Sequence, residues 1–368
     1  DKKNLSDGKI RDLIEHLSTR KLGNKNYPAD LMGDAYEILL KKFADDSKAQ
    51  AGEFYTPRSV VNLLVRILDP QPGETVYDPA CGSGGMLIEA IQHMNHSSLC
   101  CGTIFGQEKN VVNSAIAKMN LFLHGASDFN IMQGDTLRSP KILQNGEIAK
   151  FDCVIANPPF SLEKWGSTEW GSDKYGRNIW GTPSDSCADY AWIQHMVKSM
   201  APGNGRMAVV MPQGVLFRGN EEGRIREKLV KSDLVEAIVT LGDKLFYGTG
   251  LSPCFMILRR LKPAAHSARV LMIDGTKILT AKRAQNILSP EDVDRLYELY
   301  CKYEDIEDFS KVVTIDDIAA KGYDLSPNKY VNYHKEEIRP YAEVLAEFKA
   351  AYDEVLKREA EFKKLINA

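Results

Sequence analysis

Between residues 74 and 260, short apolar runs bounded by Gly, Asp or Pro alternate with stretches of helical periodicity. Strands that alternate with helices are typical of a mainly parallel sheet covered on both faces. The linker between the last two runs is short and turn-rich, so the later strand is expected to be antiparallel. With one further run beyond residue 260, strands are expected over 75–77, 102–106, 129–132, 152–156, 206–211, 234–240, 254–260 and 269–273.

Helical patterns flank this alternating region. Residues 29–46 carry a continuous apolar stripe, which predicts an amphipathic helix. A second helix is expected to begin at Thr56-Pro57, because Thr is a favourable N-cap and Pro suits the first helical position, and to end at Asp69-Pro70. Two small helices are expected over 291–303 and 314–320.

The tail from Glu336 to Ala368 contains no Gly and spaces its apolar side chains alternately three and four residues apart. This is the spacing of a coiled-coil seam, with Glu359 as its one polar interruption. Two interpretations stay open: a helix packed on its own domain, or a helix that docks on another subunit. The seam residues are Ile338, Tyr341, Leu345, Phe348, Tyr352, Val355, Phe362 and Ile366.

Composition and charge limit the classes of function. The chain has 368 residues, of which 43% are hydrophobic and 26% charged, enough for two or three globular units. Its 47 basic and 50 acidic residues give a net charge of −3, so binding to nucleic acid would need a local basic site or a partner. Because no apolar stretch approaches a membrane span and the start lacks a signal peptide, a soluble, cytoplasmic protein without membrane contact is expected.

Cysteine and histidine spacing gives no sign of a metal site. The seven cysteines are odd in number and contain no C-x-x-C pair, so neither a disulfide framework nor a zinc site is indicated. His93 and His96 have the spacing of one helix face but no recognisable third ligand. No metal is therefore expected.

Acidic residues follow three successive predicted strands. Asp78 ends the first and can accept from an ammonium group, Glu108 after the second can hold both hydroxyls of a ribose, and Asp135 after the third can accept from an adenine amino group. After Asp78 comes a glycine turn, which lets a cofactor approach the backbone and offers amide donors at a helix start. Leu87 stands where a dinucleotide fingerprint needs a third small residue, so hydride chemistry is disfavoured. The turn residues are Gly82, Ser83, Gly84 and Gly85.

The fourth predicted strand runs directly into Asn157-Pro158-Pro159-Phe160. Proline fixes φ and has no amide hydrogen, so this turn is rigid and presents the Pro158 carbonyl and the Asn157 amide oxygen as acceptors. Two acceptors on the two hydrogens of a planar amine favour a pyramidal nitrogen, whose lone pair can attack an electrophile. Phe160 supplies a face on which the flat group can stack. This tetrapeptide is the predicted catalytic element.

Taken together, these motifs resemble a known family. Asp78-Pro79-Ala80-Cys81-Gly82-Ser83-Gly84-Gly85 followed by Asn157-Pro158-Pro159-Phe160 is similar to the S-adenosylmethionine-dependent N6-adenine DNA methyltransferases. The earlier segment Glu53-Phe54-Tyr55-Thr56-Pro57-Arg58 resembles the one that this family closes over the methionine part of the cofactor. This motif order is similar to that of the modification subunit of type I restriction–modification systems, as are residues 251–254 and 322–330.

The resemblance implies a class I methyltransferase fold, which is α/β and Rossmann-like, with a mostly parallel sheet, an antiparallel last strand, a helical N-terminal segment and a long C-terminal helix. It implies methyl transfer from S-adenosylmethionine to N6 of a flipped adenine in double-stranded DNA. The implied partners are a DNA-specificity subunit held through the C-terminal helix, a second copy of the chain and a restriction nuclease subunit. The implied site residues are Asn157, Pro158, Pro159 and Phe160 for catalysis, and Glu53, Phe54, Tyr55, Thr56, Pro57, Arg58, Asp78, Gly82, Ser83, Gly84, Gly85, Glu108 and Asp135 for the cofactor.

The same resemblance divides the chain into four parts. These are a helical N-terminal segment (1–52), a methyltransferase domain (53–262), an α/β extension (263–335) and a C-terminal docking helix (336–368). The first part is shorter than the helical domain usual in the family, so a truncated chain is expected. Two other functions stay open: methylation of a glutamine side chain or an RNA base, and a scaffold without catalytic activity.

The segment 161–187 carries an aromatic residue followed by Gly every five residues, a period that fits neither helix nor strand. One hypothesis is a mobile lid that stacks its aromatic side chains on bases and brings Lys164, Lys174 and Arg177 near phosphates. The alternative is a flexible or partly packed surface loop. The repeated pairs are Trp165-Gly166, Trp170-Gly171, Tyr175-Gly176 and Trp180-Gly181.

Overall fold

Within the described part of the chain, the eight predicted strands and one that was not predicted pair side by side in a sheet of nine strands. The computed structural model describes residues 7–19, 56–95, 103–126, 128–246, 252–282, 285–334 and 341–366. Its strands are β1 (Val76–Asp78), β2 (Ile104–Glu108), β3 (Phe129–Gln133), β4 (Leu143–Gln144), β5 (Glu147–Ile148), β6 (Cys153–Ala156), β7 (Arg206–Pro212), β8 (Val235–Leu241), β9 (Pro253–Arg259), β10 (Arg269–Gly275) and β11 (Ser310–Thr314). β4 and β5 pair only with each other, and the sheet order is β11-β10-β8-β9-β7-β6-β1-β2-β3.

Strand directions confirm the predicted type of sheet. β3, β2, β1, β6 and β7 are mutually parallel, so their carboxyl ends share one edge. β9 runs antiparallel between β7 and β8, as its short connection predicts. Further out, β10 is parallel to β8 and β11 is antiparallel to β10. β11 and the β4–β5 pair are additions that the apolar pattern does not predict, because these strands are short and only partly buried.

Helices lie on both faces of the sheet. None of those described is long and apolar enough to cross a membrane. The helix predicted over 29–46 lies outside the described residues, whereas those predicted after Thr56, over 291–303 and over 314–320 are confirmed to within two residues. The helices are α1 (Asp7–Ser18), α2 (Arg58–Leu68), α3 (Gly85–Asn95), α4 (Val111–Leu123), α5 (Ser167–Trp170), α6 (Asp189–Ser199), α7 (Asn220–Lys231), α8 (Pro290–Lys302), α9 (Ile315–Ala320) and α10 (Tyr341–Ile366).

Alternate residues of each central strand enter two different hydrophobic cores. On β6, Val154 and Ala156 join the core that includes α6 and α7. Cys153 and Ile155 join the core on the opposite face, which includes α2, α3 and α8. Because both faces are buried, apolar residues occupy every position of the strand, and the sequence shows a continuous apolar run rather than an alternation.

The chain divides into two compact units, Asp1–Asn332 and Tyr333–Ala368. The first unit contains the whole sheet, because β10 and β11 from the expected extension 263–335 continue the sheet formed by 53–262. The second unit carries α10, which lies inside the expected tail helix 336–368.

At the amino ends of the strands, polar side chains form a closed network. Arg206, the first residue of β7, donates to both carboxylate oxygens of Glu74 at 3.0 and 2.6 Å. The same guanidinium donates to the backbone carbonyls of Leu68 and Asp69 at the end of α2. Only 7% of the Arg206 side chain is exposed. The network therefore ties α2 and the segment before β1 to β7.

Replacing Arg206 with Met should lower the free energy of unfolding by about 2 kcal/mol, because the partly buried Glu74 carboxylate, 18% exposed, would lose its cation and two hydrogen bonds. Arg224→Met is the matched control, since its ion pair with Glu221 is 73% and 53% exposed and such pairs contribute at most about 1 kcal/mol. Urea unfolding of the two variants measures the difference. Equal losses would show that the Arg206 network does not hold these elements together.

Candidate functional site

A glycine turn connects β1 to α3 at the carboxyl edge of the sheet. Gly82 and Gly84 have φ values of +53° and +84°, which L side chains rarely adopt. The Gly84 amide donates to the Cys81 carbonyl at 2.7 Å and closes the turn. A Cβ atom at Gly82 or Gly85 would meet no heavy atom within 4 Å, so both residues border open space. The turn therefore offers bare backbone to a ligand, which is what a cofactor held close to the main chain requires.

Asp78, the last residue of β1, is a buried carboxyl group at this edge. It is 2% exposed, and its Oδ1 accepts from the Ala80 amide at 2.9 Å. Burial, and to a lesser extent the nearby charge of Glu108, raises the pKa of Asp78 to about 8. A cationic ligand group beside it would favour the ionised carboxylate.

Glu108, at the end of β2, joins the glycine turn to the next helix. One carboxylate oxygen accepts from the Gly82 amide at 3.0 Å, and the other accepts from the Asn110 amide at 2.7 Å. An ionised carboxylate has about four acceptor positions, so lone pairs remain for ligand hydroxyls.

Asp135 follows β3 and is 23% exposed at the same edge. One of its oxygens pairs with Lys109 Nζ at 2.9 Å, and the other accepts from the Arg138 amide at 3.1 Å. The segment that carries it is held by Gln107, a fully buried residue of β2. Gln107 donates to the carbonyls of Gly134 and Ser139, both at 3.1 Å, and accepts from the Lys141 amide at 2.9 Å. No local pattern in the sequence indicates this role of Gln107, because its hydrogen-bond partners lie more than 25 residues away along the chain.

Asn157, directly after β6, has one satisfied and one unsatisfied side-chain atom. Its Nδ2 donates to Thr56 Oγ1 at 2.9 Å. Its Oδ1 is buried and has no hydrogen-bond partner among the described residues. A buried acceptor left in this state costs about 1–3 kcal/mol. Such an atom is suited to receive an N–H group from a bound molecule.

The contact with Asn157 changes the expected role of Thr56. Pro57, not Thr56, is the N-cap of α2, and no side chain caps this helix end. The prediction of a Thr56 cap is therefore wrong: its hydroxyl orients the Asn157 amide instead. Ser83, in the glycine turn, accepts from Asn120 Nδ2 through its carbonyl at 3.1 Å. Arg58 is exposed at the start of α2, and Glu53, Phe54 and Tyr55 lie outside the described residues.

The aromatic ring of the tetrapeptide, Phe160, contacts a second aromatic ring. Phe160 is half-buried, and its ring centroid is 6.4 Å from that of Phe246, with the planes inclined by 55°. Pro158 is buried and Pro159 exposed. Phe246 follows β8, which ends at the same edge of the sheet. This position is the one sequence signal that could have placed Phe246 near Phe160. Phe246 is only 4% exposed, so it supports Phe160 from the core, and the half-buried Phe160 is the ring that could face a flat group.

The hypothesis that segment 161–187 is a mobile lid is wrong for its tryptophans. Trp165, Trp170 and Trp180 are 2%, 2% and 9% exposed and belong to the core beside α6. Arg177 is also buried, at 2% exposure, so it does not face phosphates. Gly166, Gly176 and Gly181 have φ values of +103°, +63° and +138°, so these glycines serve backbone turns that other residues rarely adopt.

A cluster of Cys187, Asp189 and Glu222 has ligand atoms close enough for a metal ion. The Arg218 guanidinium is bound there, at 2.5 Å from Asp189 and 2.6 Å from Glu222. This guanidinium pairs with both carboxylates and occupies the space between them, so the cluster gives no argument for a metal.

The family model and the relatives that match this chain describe the same kind of protein. The family model of the N-6 DNA methylases matches residues 28–338. The methylase subunit of the type I restriction enzyme MjaVII from Methanocaldococcus jannaschii is 37% identical over 346 residues, 89% of this chain and 59% of the relative. The HindI methylase subunit from Haemophilus influenzae is 31% identical over 347 residues, 90% of this chain and 76% of the relative.

The solved structure of the methyltransferase subunit of a type I restriction–modification system from Streptococcus thermophilus has the same fold. It matches with a TM-score of 0.80 at 30% identity, over 89% of this chain and 68% of that one. The fold class expected from the sequence is thereby confirmed. The chain spans only about three fifths of the M. jannaschii relative, 59% of its length.

The buried Asp78 carboxyl should reduce stability as the pH rises. Its pKa of about 8 lies above the ordinary value of 3.8, so between these values the folded chain keeps a proton that the unfolded chain releases. Stability attributable to this group is then present at low pH and falls by about 1 kcal/mol per pH unit toward pH 8. Asp78→Asn removes the titration, so its stability relative to the wild type should increase between pH 5 and 8 in urea unfolding. A difference that stays constant with pH would contradict the raised pKa.

Proposed function

Because the chain belongs to the N-6 DNA methylase family, we propose that it transfers a methyl group from S-adenosylmethionine to N6 of adenine in double-stranded DNA, as the modification subunit of a type I restriction–modification complex. The observation that carries this proposal is the buried, unpaired Oδ1 of Asn157 at the carboxyl end of β6. The amino group of an adenine rotated out of the duplex would supply its missing donor. Relatives named as methylase subunits of restriction enzymes support DNA, rather than RNA or glutamine, as the substrate.

The residues of the glycine turn and of the three strand ends fit S-adenosylmethionine. The chemistry that this cofactor supplies is a methyl group on a positively charged sulfur. Asp78 would accept from the ammonium of its methionine part, Glu108 from its ribose hydroxyls and Asp135 from its adenine amino group. The open space at Gly82 and Gly85 lets the backbone approach the ligand closely. Residues 53–58 would cover the methionine part.

Asn157 and Pro158 would prepare the target amine. The lone pair of an adenine amino group is delocalised into the ring, which makes the nitrogen a poor nucleophile. Hydrogen bonds from its two N–H groups to Asn157 Oδ1 and the Pro158 carbonyl favour a pyramidal nitrogen with a localised lone pair. The hydrogen bond between Asn157 and Thr56 fixes the amide in the orientation that presents Oδ1. Phe160 would stack on the plane of the base, and the buried Phe246 would support the Phe160 ring from behind.

The second unit of the chain supplies the proposed docking element. Along α10, an apolar seam is exposed: Tyr341 is 79%, Phe348 66% and Phe362 62% exposed. Exposed aromatic residues in a coiled-coil repeat are typical of a helix that packs against a partner helix. We assign the seam to a DNA-specificity subunit, with a second copy of the chain and a restriction subunit completing a cytoplasmic complex on DNA.

Replacing Asn157 with Ala should lower the rate of methyl transfer at saturating cofactor by about 10²–10³-fold, because one of the two acceptors for the amine is lost. Transfer of labelled methyl groups to DNA, RNA and protein is measured with cell extract as the source of partner subunits, and the product is identified after digestion. Asn130→Ala, which truncates an exposed residue of β3, is the control and should keep the wild-type rate. Methylglutamine or methylated RNA as the product, or N6-methyladenine formed equally by Asn157→Ala, would contradict the proposal.

Charges in the seam of α10 should abolish assembly. Leu345→Asp combined with Phe348→Asp places two carboxylates in the apolar interface, where they would lose hydration without a partner. Ala346→Asp with Ala350→Asp adds the same charge at exposed positions outside the seam and should leave assembly intact. Co-purification with a co-expressed specificity subunit measures the outcome, and cofactor affinity should be unchanged in both. Retained assembly of the seam variant would refute this use of α10.

A further inference from the structure

Segment 161–187 contains a buried ion pair that the proposed reaction does not use. The side chains of Arg177 and Asp173 are 3% and 5% exposed, with Nη2 and Oδ1 2.6 Å apart. Arg177 Nε also lies 3.1 Å from both carboxylate oxygens, and its backbone amide donates to Asp173 at 2.8 Å. Taking two charges out of water is unfavourable, and their attraction offsets this only where further hydrogen bonds complete the site. The remaining donors of Arg177 therefore indicate what the pair does.

Those donors reach out of the segment to the carboxyl edge of the sheet. Nη1 donates to the Thr136 carbonyl at 2.9 Å, and Nη2 donates to the Leu137 carbonyl at 2.8 Å. These two residues directly follow Asp135. Thr136 in turn donates from its hydroxyl to the Pro79 carbonyl at 2.6 Å, and Pro79 directly follows Asp78. One guanidinium thus supports the backbone next to two of the proposed cofactor acids.

A second path leads from the same guanidinium to β1. Nη1 of Arg177 lies 3.4 Å from Nδ1 of His195, and Nε2 of His195 lies 3.1 Å from the Tyr77 hydroxyl. Burial, reinforced by the Arg177 charge, lowers the pKa of His195 well below its ordinary value, so the ring is neutral. Because a guanidinium only donates, Nδ1 accepts and Nε2 donates to Tyr77. Tyr77 is the residue before Asp78, so both sides of Asp78 are connected to Arg177.

Aromatic side chains pack against the guanidinium of Arg177. Its guanidinium carbon lies 4.5 Å from the centroid of the Trp170 ring, which is itself buried. Trp165 packs edge-on against Trp170 at 5.4 Å. Tyr175 also lies near the guanidinium, with its ring centroid 5.5 Å from the guanidinium carbon, so two of the four periodic aromatic residues contact Arg177 directly.

We propose that Arg177 is a positioning residue for S-adenosylmethionine: it fixes the segments that carry Asp78 and Asp135 in the arrangement that binds the cofactor. The inference rests on the proposed function, because it takes S-adenosylmethionine as the ligand. Segment 161–187 then acts as a rigid support behind the cofactor site rather than as a lid over DNA. Lysine could pair with Asp173, but it lacks the planar fork that reaches two carbonyls and a histidine at once.

The test is the affinity of the purified chain for S-adenosylmethionine, measured by calorimetry without DNA. Arg177→Lys keeps the charge beside Asp173 but loses the fork, so its Kd and its KM for the cofactor should rise by about tenfold or more. The rate at saturating cofactor should stay within about threefold of the wild type, because none of the hydrogen bonds of Asn157 or Thr56 belongs to this network. A folded Arg177→Lys chain with wild-type Kd would overturn the proposal, as would a fall in rate with unchanged Kd.

A second pair of variants keeps the test decisive if Arg177→Lys does not fold. Thr136→Val has the shape of Thr but lacks the hydroxyl that donates to Pro79, and its Kd should rise by about three- to tenfold. Thr136→Ser keeps the hydroxyl and should restore the wild-type Kd. Equal affinity of the folded Val and Ser variants would overturn the proposal. The Kd measurement contains no DNA, so it tests cofactor binding separately from the choice of substrate. A chain that binds the cofactor but methylates RNA or protein would contradict the proposed function and leave the role of Arg177 intact.

Discussion

The parallel alignment of four strands places the candidate site residues together at one edge of the sheet. β6, β1, β2 and β3 are neighbours in the sheet and end at the same edge, where they deliver Asn157, Asp78, Glu108 and Asp135. Strand pairing fixes where each of these residues leaves the sheet, but it does not fix the connecting segments that follow. Those segments are held by side chains from neighbouring elements, among which Gln107 holds the one after β3. The carboxyl edge is therefore built from strands that set the positions of these residues and from buried polar side chains that orient the segments after them.

The parts of this arrangement that can be read from the sequence are those encoded locally. Short apolar runs mark β1, β2, β3 and β6–β10, and the runs are continuous in central strands such as β6, where both faces are buried. The glycine turn and the Asn-Pro-Pro-Phe tetrapeptide also have local signatures, since left-handed backbone needs Gly and a rigid turn needs Pro. The antiparallel direction of β9 followed from the length of one linker. In each case a few adjacent residues carry the information.

The parts that could not be predicted depend on partners far along the chain. Phe246 lies 86 residues after Phe160, whose ring it contacts, and Arg177 lies 41 residues after Thr136, to whose carbonyl it donates. The hydroxyl of Thr56 was assigned to a helix cap because the adjacent Pro57 favours that interpretation, whereas tertiary contact assigns it to Asn157. A polar residue that suits a local role, such as a helix cap, can thus hydrogen-bond to a residue far along the chain instead. No pattern in a single sequence distinguishes the local role from the distant contact.

The two edges of the sheet treat their polar groups differently. At the amino edge, Thr75 and Asn204 donate to the two oxygens of Asp152, at 2.8 Å each, and Arg206 neutralises Glu74, so these side chains are mutually satisfied. At the carboxyl edge, by contrast, Asn157 Oδ1 has no hydrogen-bond partner among the described residues, and burial raises the pKa of Asp78 to about 8. Both features make the ligand-free fold less stable, and both are relieved by groups that a cofactor ammonium and an adenine amine would bring. The hydrogen bonds and ion pair at the amino edge stabilise the fold without a ligand. At the carboxyl edge, the hydrogen bond that Asn157 lacks and the counter-charge that Asp78 lacks would form only on binding, where they would add to the affinity.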